Sequence, residues 1–74
     1  PAPVATASLV GGKIQVEVSN AKGQAVTFVV AGKKYVRNIN SDNYTFKIAR
    51  PKGAKAVKVS AVLASRSIGS ASLN

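Results

Sequence analysis

The side chains able to do chemistry in this chain are almost all cations. Eleven Lys and Arg stand against two carboxylates, Glu17 and Asp42, for a formal net charge of +9. His, Cys, Met and Trp are absent. These absences exclude a disulfide framework, a zinc finger, haem ligation and any Cys–His or Ser–His–Asp active site. Two carboxylates cannot build a metal cage and also supply a general base, so no metal and no cofactor is expected. One nucleophilic option remains, a Ser–Lys pair. Lys58 and Ser60 are two residues apart and share one face of a strand, and a strand face offers no cleft for a substrate. The glycines at 11, 12, 23, 32, 53 and 69 lack the GxxxxGK spacing of a phosphate loop and read as turn glycines. The expectation is a protein that is not an enzyme.

Anion recognition is the chemistry left. Lys13 follows Gly11-Gly12, Lys33 and Lys34 follow Gly32, and Arg50, Lys52 and Lys55 surround Pro51 and Gly53. A cationic cluster speeds encounter with anions and gives salt-sensitive binding. Lys at turns and edges also discourages edge-to-edge pairing. Solubility by itself, however, is usually achieved with both signs mixed, and here acids are nearly missing. Nucleic acid is a poor fit as partner. Binders of single strands interleave aromatics with cations so that bases can stack. Of the four aromatics, Phe28, Tyr44 and Phe46 fall on the apolar side of alternating strands, which leaves Tyr35, between Lys34 and Arg37, as the one free aromatic contact.

The elements that must position these cations are strands. Hydrophobic residues make up 46% of the chain, well above a disordered composition. The eleven Val suit a pleated surface. The twelve Ala are scattered and show no helical i, i+3, i+4, i+7 spacing. Lys13–Ser19 alternates cleanly, with Ile14, Val16 and Val18 on one side. The same alternation predicts strands at Val4–Val10, Ala25–Ala31, Tyr35–Asn40, around Tyr44–Ile48, at Ala56–Leu63 and at Ser65–Leu73. Turns fall at Gly11-Gly12, Asn20–Gly23, Gly32–Lys34, Ser41–Asn43, Arg50–Lys55 and near Ala64. The expected core is Ile14, Val16, Val18, Val26, Phe28, Val30, Tyr44, Phe46, Ile48, Val57, Val59 and Ala61. The fold class is all-β, a small seven-stranded antiparallel β-sandwich. Residues 1–3 form a linker or lead-in and residues 4–74 one domain. No run of about 18 apolar residues is present to cross a membrane as a helix. A start at Pro1 suggests a processed chain or an excised domain. The Ser/Ala-rich first and last strands are expected at sheet edges, where strand addition or homo-oligomer formation could occur.

The segment from Ile14-Gln15-Val16-Glu17-Val18 through Ser19-Asn20-Ala21-Lys22-Gly23 is similar to the B strand and following turn of bacterial immunoglobulin-like and fibronectin type III-like modules. Val26–Tyr35 resembles their C–C′ hairpin, Tyr44-Thr45-Phe46-Lys47-Ile48 their E strand and Ala56–Val62 their F strand. That order implies loops sorted to two ends. One end would collect Lys13, Lys33, Lys34, Arg50, Lys52 and Lys55, and the other Lys22, Arg66 and Asp42. Such modules serve as spacers, adhesive units and virion decorations, in secreted and cell-surface proteins and in phage capsids and tails. The resemblance therefore implies a structural or adhesive module at an extracellular, cell-surface or virion surface. Its basic tip would dock on an anionic polymer, an acidic capsid or cell-wall surface, or an acidic patch of a protein partner or parent polypeptide. The alternative is a virion decoration protein or filament subunit that clamps its neighbours.

Overall fold

The computed structural model describes residues 1–53 and 55–74. Ala54, which the sequence pattern puts in the longest loop, lies outside the described residues. Period-two alternation gives seven strands: β1 (Val4–Val10), β2 (Lys13–Ser19), β3 (Ala25–Val30), β4 (Lys33–Asn38), β5 (Asn43–Ala49), β6 (Val57–Leu63) and β7 (Arg66–Leu73). They form two antiparallel sheets, one ordered β1-β2-β5 and the other β4-β3-β6-β7. The sheets face each other across a single apolar layer, a β-sandwich.

The inward rows supply that layer. Ile14, Val16 and Val18 of β2 meet Val26 and Phe28 of β3 and Val57, Val59 and Ala61 of β6, all buried. Phe28 and Phe46 stack across the sheets with centroids 4.3 Å apart and planes 4° from parallel. Tyr44 and Ile48, expected in the core, are only half-buried and pack on its border. They lie on β5, the outermost strand of the narrower sheet, where one side has no neighbour. Ala5, Ala21 and Ile39 are buried in addition to the expected set. Ile39 follows β4 and is drawn in because its N–H donates to the Gln24 carbonyl while its own carbonyl accepts from the Gly23 N–H.

Three hairpins turn on two residues. Val10 pairs with Lys13, Val30 with Lys33 and Leu63 with Arg66. The central pairs Gly11-Gly12, Ala31-Gly32 and Ala64-Ser65 all have positive φ, the requirement of a type I′ turn. The turn at Ala31-Gly32 is why β4 begins at Lys33, two residues before the sequence pattern places it.

The two long sides of the sandwich differ. On one side β1 lies directly along β7. Gly69 is not a turn glycine but a member of β7, and a Cβ there would overlap the Ala5 carbonyl. The two Ser/Ala-rich edges thus cover each other. On the other side the four-stranded sheet is one strand wider, and β4 overhangs the edge of β5. The first and last strands are sheet edges, as expected, and lie against each other, while β4 and β5 are the edges of the other side.

Candidate functional site

Register decides which side chains share an end. Val10 pairs with Lys13, and Lys13 with Ala49, so the β1–β2 turn and the end of β5 lie together. Val30 pairs with both Lys33 and Val59, so the β3–β4 turn and the start of β6 lie together. The β5–β6 connection joins these two sets. Lys13, Lys33, Lys34, Arg50, Lys52 and Lys55 consequently all stand at one end of the sandwich. Lys22 and Asp42 occupy turns at the opposite end, with Arg66 at the start of β7 there. Glu17 is in the middle of β2, on the outer face, where it accepts a hydrogen bond from the Gln15 amide at 3.1 Å. Neither side-chain carboxylate is at the basic end.

Within that end the six cations have different settings. Lys33 and Arg50 border one cleft of about 470 Å³ between the sheets, whose walls include Val30, Tyr35, Ile48 and Pro51. Arg50 is half-buried, and its Nη2 donates to the Lys55 carbonyl at 3.0 Å, which braces the connection carrying Lys52 and Lys55. Lys52 and Lys55 are exposed. Lys13 and Lys34 project outward from opposite sheets and flank the cleft without lining it.

Tyr35 is not the free aromatic expected from the sequence. It is half-buried, with its ring 5.7 Å from that of Phe46 and tilted by 47°. The Arg37 guanidinium lies 5.5 Å above the same Phe46 ring, within cation–π range. Lys33, Tyr35 and Arg37 are opposite Val30, Phe28 and Val26 in the register, so they form the inward row of β4. This row of cation, aromatic, cation leans over the β5 edge and closes the core where the narrower sheet ends. Sequence reasoning noted Arg37 only as a cation flanking Tyr35 and did not place it among the site residues. Its signal was present: residues 33, 35 and 37 alternate in a strand that the Gly32 turn folds onto the wholly apolar row of β3.

The backbone at this open side can be assigned by parity. The Asn20 N–H donates to the Asp42 carbonyl at 3.1 Å, one step beyond the Ser19–Asn43 pair. Mutually bonded pairs recur at every second position of an antiparallel ladder. Tyr44, Phe46 and Ile48 therefore bond to β2, whereas Thr45, Lys47 and Ala49 direct their N–H and C=O groups to the free edge. The Asn43 N–H, of the same parity, is taken by Ser41 Oγ at 3.2 Å.

A second concavity, about 550 Å³, is an open trough on the outer face of the wider sheet, floored by Val29, Ser60, Ser70 and Ser72. Lys58 is exposed there and Ser60 half-buried. Among the described residues no cluster of three or more His, Cys, Asp or Glu exists to hold a metal ion. Among the described residues no helix is long and apolar enough to cross a membrane. No known protein family, curated protein or solved structure matches this chain.

Proposed function

We propose that this chain is a non-enzymatic structural or adhesive module, of the immunoglobulin-like or fibronectin type III-like kind, that docks through its basic end on an anionic surface of an extracellular, cell-surface or virion assembly. The kinship is supported by β4 pairing with β3 as C′ pairs with C. The docking role rests on one observation: three connections carrying six cations converge at one end, and both side-chain carboxylates lie elsewhere. Charge of one sign gathered in one place raises the local concentration of an oppositely charged partner.

The test is co-sedimentation with heparin or teichoic acid at low and at high salt. Engagement of about six charges predicts a loss of affinity on the order of 10³-fold between 50 and 200 mM salt. Replacing Lys33, Lys34, Lys52 and Lys55 together by Gln abolishes the binding, and Lys22→Gln with Arg66→Gln at the far end leaves it intact. Indifference to both polymers at low salt, or equal loss from the far-end pair, overturns the reading.

A further inference from the structure

We infer that the open edge of β5 is a docking site for an extended acidic segment of a partner protein, which adds to the three-stranded sheet as a fourth strand. The inference rests on the basic-end reading and specifies the partner. Three observations carry it. The sheets are unequal, so β4 reaches past the edge of β5 and meets it through Phe46. Thr45 and Lys47 present backbone donors and acceptors to the vacant side of β5, and a protein backbone satisfies these in register as a sugar or phosphate chain does not. The vacant side is overhung by Lys33, Tyr35 and Arg37, and Lys47 flanks it from the outer face.

Recognition follows from strand geometry. Side chains on one face of an added strand repeat every second residue, as do those of β4. A carboxylate at one position meets Lys33, and a second, four residues away, meets Arg37. The residue between them packs on Tyr35. The motif is acidic, any, apolar, any, acidic. A second copy of this chain is the wrong occupant, because it brings eleven more cations and only two acids. The β1 and β7 edges lie against each other, with Gly69 close to the Ala5 backbone, which leaves less room there for an added strand.

The probe is the peptide Thr-Glu-Thr-Val-Thr-Glu-Thr, capped at both ends, and the same peptide N-methylated at alternate residues to remove edge hydrogen bonds without altering charge. Titration by NMR of the full chain reads both affinity and location. The parent peptide is expected to shift Thr45, Lys47 and the β4 amides, and methylation to weaken binding at least tenfold. Thr45→Pro removes one edge donor at a position where Pro is tolerated, and it should weaken the peptide while heparin binding is unchanged. Equal binding of the methylated and parent peptides overturns the inference and leaves the basic-end reading standing. So does heparin binding without peptide binding. Failure of both heparin and peptide removes the basic-end reading, and this inference with it.

Discussion

At the scale of single residues, the least replaceable side chain is one that is missing. Gly69 lets β7 approach the backbone of β1, and a methyl group there would occupy the space of the Ala5 carbonyl. Because the obstacle is main chain, relief requires β1 to move as a unit. Gly69→Ala is expected to cost about 1–3 kcal/mol, as overpacking of a tight contact does. Urea unfolding checks this, and a midpoint unchanged from the parent would show that β1 and β7 are not in register contact. Such a role was not legible in the sequence, since a glycine in a Ser/Ala-rich run looks like any other small residue and its neighbour is over sixty positions away. The burial of Ile39 was hidden for a related reason, as its partners Gly23 and Gln24 hold it only after the chain has left the ladder. The alternating Val and Ile of β2, by contrast, announced their own burial.

At the scale of elements, strand identity was written in period-two alternation, and strand ends were not. A two-residue turn needs both central residues at positive φ, which favours Asn-Gly or Gly-Gly. Gly11-Gly12 meets that need and marks its hairpin plainly. Ala64-Ser65 meets it with φ of 51° and 66° on two residues that carry Cβ atoms. Left-handed backbone costs roughly 1–2 kcal/mol for an ordinary L residue. The pair Ala64→Asn and Ser65→Gly is therefore expected to stabilise the fold by about 1–2 kcal/mol, raising Tm by roughly 4–8 °C per kcal/mol for a domain of this size. Calorimetry decides it; a lowered Tm would mean that the β6–β7 turn is not type I′. The edge assignment shows a different limit. The low stickiness of β1 and β7 reads correctly as edge composition, but which edges are left open depends on how far each sheet extends, and that emerges only from the pairing of β4.

At the scale of the whole molecule, charge is polarised along the strands. Seven residues at about 3.3 Å each separate the two ends by some 20 Å, more than two Debye lengths at physiological salt. A partner at the basic end is thus shielded from Asp42, and the two ends act independently. The cations proposed to dock also repel one another, a repulsion that a bound polyanion would relieve. The pairing has a mechanical side as well. β1 starts at the far end, where Val4 meets Ser19, and β7 finishes at the basic end, where Leu73 meets Val57. Tension on the chain before β1 and after β7 therefore pulls the two strands lengthwise in opposite directions, each along its hairpin partner. The hydrogen bonds of both hairpins are loaded together, in shear. Attachment through residues 1 and 22, both at the far end, would instead peel β1 from β2 one pair at a time. Single-molecule pulling in the two geometries should give a clearly higher rupture force for the first, and equal forces would contradict the lengthwise arrangement. A domain so threaded resists extension best along the line joining its two ends, the direction in which it would be pulled if its basic end were anchored to a surface.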